Sequence, residues 1–242
     1  MTSIGIFGSQ GRMGQAIAAL APELGAHLAG GADVGDDPAD LARKADVLVD
    51  FSAPAALEGH LGAARAAWTP IMIGTTGLSP IHHALIDAAA AEIPVLQTGN
   101  TSVGVALLAR LVREAALKLD AEWDIEIVEM HHRNKVDAPS GTALMLGEAA
   151  ARGRGTTLAE ACVPARAGLT GARAPGTIGM ASLRGGAVVG DHSVIFATAG
   201  ERIELIHRAD DRAIFARGAV QAALWLAGQQ PGRYTMDQVL AV

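Results

Sequence analysis

Short, continuous apolar runs alternate with longer amphipathic stretches from the start of the chain to Leu96. Ile4-Gly5-Ile6-Phe7 and Val47-Leu48-Val49-Asp50-Phe51 are apolar almost throughout, the mark of strands covered on both faces. Residues 27–32, 71–73 and 94–96 complete five predicted strands. Residues 12–24, 54–67 and 80–91 read as helices between them, with Gly25 at a C-cap position. Residues 36–44 read as a short polar connection that turns at Asp37-Pro38. Strand and helix in alternation predict an α/β unit built on a doubly wound parallel sheet.

Beyond Asn100 the texture changes. Residues 104–119 predict a long helix with Leu107, Leu108, Leu111, Val112 and Ala115 on one apolar face. Trp123-Asp124-Ile125-Glu126-Ile127 alternates apolar and acidic side chains, so it reads as a strand covered on one face only. Three further apolar segments, 180–183, 193–198 and 202–207, are separated by Gly185-Gly186 and Ala199-Gly200-Glu201, as strands and hairpins are. Residues 152–175 show no periodicity and read as a long loop, and 212–226 return to helix. The pattern predicts an α+β domain with an open mixed sheet over 103–211. It also predicts a first domain over 1–102, completed by 212–242.

Composition narrows the class. The chain of 242 residues is 50% hydrophobic and 18% charged, enough apolar content for a core and too much for disorder. A net charge of −6 lacks the basic excess that a phosphate backbone demands, so nucleic acid is not an expected partner. Cys162 is the single cysteine, which excludes an intrachain disulfide and suits a reducing cytoplasm. No apolar run approaches the roughly 20 residues of a membrane span, and no basic segment or signal core precedes Ile4.

The first strand runs into Gly8-Ser9-Gln10-Gly11-Arg12-Met13-Gly14, which opens a helix. Backbone amides and the helix dipole can hold a pyrophosphate there, as in Rossmann-like domains. Gln10 stands where the usual fingerprint has its middle glycine, so the same loop also reads as a tight packing turn. Asp33 ends the second strand where an acid can bind adenosine ribose hydroxyls and disfavour a 2′-phosphate; it also reads as a solvated loop acid. Val34 and Gly35 follow it without an arginine, although Arg12 could meet a phosphate, which gives NADH a slight preference over NADPH. Gly74-Thr75-Thr76-Gly77 and Thr98-Gly99-Asn100-Thr101 follow later strands at their carboxyl ends, where such sheets bind ligands or simply turn.

The densest polar cluster is His131-His132-Arg133-Asn134-Lys135, followed by Val136-Asp137-Ala138-Pro139-Ser140-Gly141-Thr142 and a predicted helix over 143–151. Ser140 can cap that helix while the amides of Gly141 and Thr142 face an anion, with Lys135 and Arg133 adding positive charge. A small dicarboxylate suits such a site, and histidine with lysine can supply a proton and meet developing negative charge. Adjacent histidines in extended chain point to opposite sides, so a metal is not expected. Composition alone allows a solvated basic loop equally well. The paired His82-His83 read as surface residues, and His27, His60, His192 and His207 as packing or strand-face residues.

At these residues the sequence resembles the dihydrodipicolinate reductases over essentially its whole length. The resemblance is carried by Gly8-x-x-Gly11-Arg12-Met13-Gly14, Asp50-Phe51-Ser52, Gly74 to Gly77, Asn100-x-Ser102-x-Gly104, Glu129 to Lys135, Asp137 to Thr142, Ser182-Leu183-Arg184-Gly185-Gly186 and Gly190-Asp191-His192. It implies reduction of a cyclic imine in lysine and diaminopimelate biosynthesis, with nicotinamide hydride reaching ring carbon four and a proton reaching carbon three. By motif, His131 would donate the proton, Lys135 would stabilise developing negative charge, and His132, Gly141 and Thr142 would bind the substrate carboxylates. Gly8, Ser9, Gln10, Gly11, Arg12, Met13, Asp33, Gly74, Thr75, Thr76, Thr98, Gly99, Asn100 and Thr101 would hold the cofactor, NADH or NADPH. The resemblance further implies a homotetramer joined through the second domain's sheet, a C-terminal helix returned to the nucleotide domain, and hinge closure over substrate. Asn134 and Thr101 depart from the family pattern, where a histidine and an aromatic residue are common.

Overall fold

Strand β1 (Ser3–Phe7) is buried at every residue, which is why its sequence runs apolar without alternation. It lies inside the six-stranded sheet of a computed structural model that describes residues 1–240. The sheet also holds β2 (His27–Ala32), β3 (Val47–Asp50), β4 (Ile71–Ile73), β5 (Pro94–Gln97) and, from the end of the chain, β11 (Gly232–Tyr234). Its order is β11-β5-β4-β3-β1-β2, and every neighbouring pair is parallel. Strand order reverses beside β1, so β1 and β3 carry the loops of the switch point. Residues 1–103 and the chain from Ala213 onward form one compact unit, and Gly104–Arg212 forms a second.

Helices of the first unit follow the expected pattern with three corrections, the first being that the helix expected over 54–67 begins as a 3₁₀ turn, Pro54–Ala56. Helix α1 (Arg12–Leu20) is shorter than expected, and a separate 3₁₀ turn, Pro22–Leu24, follows it, because Pro22 has no N–H with which to continue the ladder. The expected polar connection after β2 contains a helix, α2 (Pro38–Ala42), started by the Asp37 carboxylate on the Ala39 amide with proline in the first turn. Helices α3 (Leu57–Ala67) and α4 (Pro80–Ala90) complete the outer layer. His82 is not an idle surface residue, since its Nδ1 accepts from the Ser79 amide and closes a capping box on α4. Helix α8 (Ala213–Leu226) packs on α1, β3, β4 and β5. Its Gly218 has no room for a side chain, because a Cβ would stand 1.8 Å from the Thr101 carbonyl oxygen.

The second unit is a five-stranded mixed sheet in the order β10-β9-β6-β8-β7. Strand β6 (Asp124–His131) pairs antiparallel with β9 (Gly190–Ala197) and parallel with β8 (Ile178–Arg184). Strand β10 (Arg202–Ala209) pairs antiparallel with β9. Ile125, Ile127, Ile178, Met180, Val194 and Phe196 bury one face of this sheet in a core shared with α5 (Val103–Lys118) and α6 (Gly141–Gly153). The buried stripe of α5 is Val105, Leu108, Val112 and Ala116, whereas Leu107 and Leu111, expected inside, are exposed. Small Ala116 lets α6 come close: a Cβ on Gly153 would sit 2.7 Å from the Cβ of Ala116. The expected loop over 152–175 contains α7 (Leu158–Ala161), capped reciprocally by Thr157 and Glu160, and β7 (Cys162–Val163) at the sheet edge. Among the described residues no helix is long and apolar enough to cross a membrane.

Candidate active site

At the carboxyl end of β1 the chain turns so tightly that side chains are excluded. Gly8 has φ +79°, and a Cβ there would meet the Phe51 carbonyl oxygen at 2.6 Å; one on Gly14 would meet the Gly8 carbonyl oxygen at 2.3 Å. Gln10, which stands in this turn where the fingerprint has a glycine, is exposed. Its amide and the Ser9 hydroxyl both donate to the Asp33 carboxylate, at 3.2 and 2.5 Å. Asp33 is thereby fastened to the glycine loop rather than loose in solvent.

A cleft of about 330 Å³ is lined by Met13, Phe51, Gly74, Thr76, Thr98, Gly99, Asn100, Thr101 and Phe215. A Cβ on Gly74 would collide with the Phe51 ring at 2.3 Å, so glycine leaves that ring its place in the wall. Asp50, next to Phe51 in the chain, is completely buried and accepts from Thr75 Oγ1 (2.9 Å), Ser52 Oγ (2.7 Å) and His60 Nδ1 (2.8 Å). Burial pushes its carboxyl up, but the hydrogen bonds from His60 and Ser52 prevail and hold it below the ordinary value. The His60 ring in turn stacks on Phe7 at 3.9 Å. A backbone-lined glycine turn opening a helix, beside a cleft of small residues, fits a nicotinamide dinucleotide.

The second unit builds its polar site from charge. Inward positions of β6 alternate Ile125, Ile127, Glu129, His131, so the phase that fills the core ends on two ionisable groups. Glu129 is 1% exposed. Its Oε1 accepts from Arg184 Nη2 (2.9 Å) and the Ser140 amide (3.2 Å), and its Oε2 from Arg184 Nη1 (2.8 Å) and His131 Nδ1 (2.5 Å). Burial pushes the carboxyl up, yet the hydrogen bonds from Arg184, Ser182 and His131 outweigh it and bring it down to about 2. His192, opposite Glu129 in the register, meets the His131 ring edge-on at 5.1 Å, and its Nε2 lies 3.1 Å from Ser140 Oγ. Burial first, then the neighbouring His131, lowers His192 to about 4, so it is neutral at physiological pH.

Ser140 also receives the Ala143 amide and thereby caps α6, which begins at Gly141. Lys135 Nζ donates to Asp137 Oδ1 at 2.8 Å. The Gly185 amide donates to the His131 carbonyl and the Arg133 amide to the Gly186 carbonyl, tying the histidine pair to the Ser182 to Gly186 segment. His131, His132, Lys135, Gly141 and Thr142 thus lie on one strand end, the loop after it and one helix start. Among the expected cofactor residues, Met13, Gly74, Thr76, Thr98, Gly99, Asn100 and Thr101 meet in the cleft. Gly8, Ser9, Gln10 and Gly11 gather with Asp33 at the glycine turn, Arg12 starts α1 exposed to solvent, and the Thr75 hydroxyl is turned to Asp50. Among the described residues no group of three metal-ligating side chains occurs.

By sequence alone, Asp50, Phe51, Glu129, Arg184 and His192 are named only as parts of family motifs, His60 and His192 are read as packing or strand-face residues, and Phe215 is given no role. The strand period held a signal for Glu129, since it falls in the phase of Ile125 and Ile127 and so is an acid placed inward. Phe215 gave none, because its place in the cleft comes from the way α8 packs.

Two family models cover nearly the whole chain: the N-terminus of dihydrodipicolinate reductase matches residues 2–101, and its C-terminus matches 104–240. The chain belongs to the dihydrodipicolinate reductase family. The 4-hydroxy-tetrahydrodipicolinate reductase of Zymomonas mobilis subsp. mobilis is 54% identical, over 99% of this chain and 97% of that protein. That of Acidiphilium cryptum is 52% identical over the same shares. In fold, the chain is similar to the dipicolinate-bound dihydrodipicolinate reductase from Paenisporosarcina sp. TG-14, with TM-score 0.76, 19% identity and 97% of both chains covered. As a dihydrodipicolinate reductase, the chain is an oxidoreductase of lysine and diaminopimelate biosynthesis that reduces 4-hydroxy-tetrahydrodipicolinate.

Proposed function

We propose that the reduction uses a nicotinamide held at the glycine turn and the cleft of the first unit, and a dicarboxylate ring held by the second. When bound, the reduced nicotinamide supplies a hydride for ring carbon four. His131 donates the proton that carbon three receives, Lys135 stabilises the negative charge that develops on the ring, and His132, Gly141 and Thr142 hold the carboxylates. One observation carries this reading: His131 is nine-tenths buried and anchored at Nδ1, yet shares its surroundings with a lysine-bearing loop and the start of α6. A solvated basic loop would not be built on a buried carboxylate.

Asp33, fastened to Ser9 and Gln10, presents negative charge where a 2′-phosphate would lie, and exposed Val34 follows it, so NADH is preferred slightly over NADPH. The protein acts in the cytoplasm as a homotetramer joined through the second unit's sheet; Leu183 and Ile206, on the face opposite the core, are 50% and 42% exposed. The test is a coupled assay in which the synthase makes the cyclic imine from pyruvate and aspartate semialdehyde while nicotinamide absorbance is followed. Imine-dependent oxidation, faster with NADH, is expected; cofactor binding without oxidation would overturn the reading.

A further inference from the structure

Glu129 accepts from every polar neighbour, the Ser182 hydroxyl included. Arg184 reaches both oxygens, the Ser140 amide reaches Oε1, and His131 Nδ1 reaches Oε2. Arginine and a backbone amide have no lone pair to offer, and the carboxylate stays ionised far below neutral pH, so it can only accept. The nitrogen of His131 that faces it must therefore carry a proton in both the neutral and the charged ring. Neutral imidazole in water favours the opposite form, with the proton on Nε2.

The other end of the ring is arranged differently. No hydrogen bond to Nε2 occurs among the described residues, and Gly190 lies beside it, where a Cβ would come within 3.0 Å. Arg184 does more than hold the carboxylate. Its Nη2 also donates to the Asp137 carbonyl at 2.6 Å, so one guanidinium fixes both the base of His131 and the loop that carries Lys135.

We infer that Glu129, clamped by Arg184, is the positioning residue for His131: it fixes the ring with a proton on Nδ1 and makes Nε2 the nitrogen that gives its proton to the substrate. The inference rests on the proposal that His131 is the proton donor. Glu129 touches no substrate in this arrangement and acts through the imidazole, as a carboxylate that orients a histidine does in other acid–base sites.

Glutamine at this position gives a specific consequence. Its amide nitrogen would meet one Arg184 nitrogen on either side; at the Oε1 side the second neighbour is the Ser140 amide, which can only donate, whereas at the Oε2 side it is His131, which can exchange its donor for a lone pair. Glu129→Gln therefore turns the amide toward His131 and moves the neutral ring's proton to Nε2. Expected kinetics are a kcat lower by about 10- to 100-fold with substrate KM changed less than about twofold.

The decisive readout is long-range ¹H–¹⁵N NMR of histidine-labelled protein under alkaline conditions, with His131 assigned by its loss in His131→Gln. The wild type should show the neutral Nδ1–H form and Glu129→Gln the Nε2–H form. An Nε2–H ring in the wild type overturns the inference whether or not Glu129→Gln folds. An unchanged tautomer in folded Glu129→Gln, or a loss confined to KM, overturns it equally. Failure of the underlying reading looks different, because His131→Gln would then turn over normally while the wild-type tautomer stayed on Nδ1.

Discussion

The cofactor cleft and the polar site reach specificity by opposite means. In the first unit the decisive contacts are exclusions: Gly8, Gly14 and Gly74 have no room for a methyl group, and the walls are small residues and backbone. In the second they are charges: Glu129, Arg184 and His131 form a buried network in which every carboxylate lone pair direction is used. A backbone cradle recognises a phosphate chain shared by many ligands and can keep its shape through many side-chain changes. A buried charge network is costly unless complete, so one lost partner disturbs all the others. First-unit variants should therefore move cofactor affinity, and second-unit variants the chemical step.

The sharpest way to break that division is Lys135→Ala, which should lower kcat by about 10³-fold with NADH affinity unchanged, measured by steady-state kinetics and nicotinamide fluorescence. Next is Gly14→Ala, whose Cβ would press on the Gly8 carbonyl oxygen. It should destabilise the glycine turn by about 3 kcal/mol and abolish measurable dinucleotide binding, seen by thermal melting and titration. A third contrast concerns acid. His192 sits at about 4 when folded against an ordinary 6.5, so the unfolded chain binds its proton first and stability falls as pH drops from 6.5 toward 4. Glu129 extends the loss from 4.5 down to about 2, whereas Asp50 in the first unit acts only below 3.8. His192→Gln should remove roughly 2 kcal/mol of the difference in unfolding free energy between pH 7 and pH 4.5, and hydrogen exchange should place the change in β9 and β10. The smallest effect belongs to Asp33→Ser, which should shift the ratio of kcat/KM for NADH over NADPH about tenfold toward NADPH.

The two regions also differed in how well their sequences could be read. Parallel strands buried on both faces leave continuous apolar runs, so β1 and β3 and the loops at their ends stood out. The second unit's loop declared itself through composition, since two histidines, an arginine and a lysine crowd before a serine cap. Its foundation did not, because Glu129, Arg184 and His192 meet only through the pairing of β6 with β8 and β9. Helix α5 misled for a simpler reason: bulk was taken for burial at Leu107 and Leu111, while close helix approach selected Ala116. Short capped elements such as α2 and α7 escaped because five and four residues are too few to show a period.

The measurement that bears most directly on this account is made on His131→Gln, with turnover in the coupled assay and NADH affinity determined on the same preparation. We expect kcat lower by about 10²- to 10⁴-fold and an NADH Kd within about twofold of wild type. Undiminished turnover, or a Kd that weakens in step with kcat, would contradict the assignment of proton transfer to the charge network of the second unit.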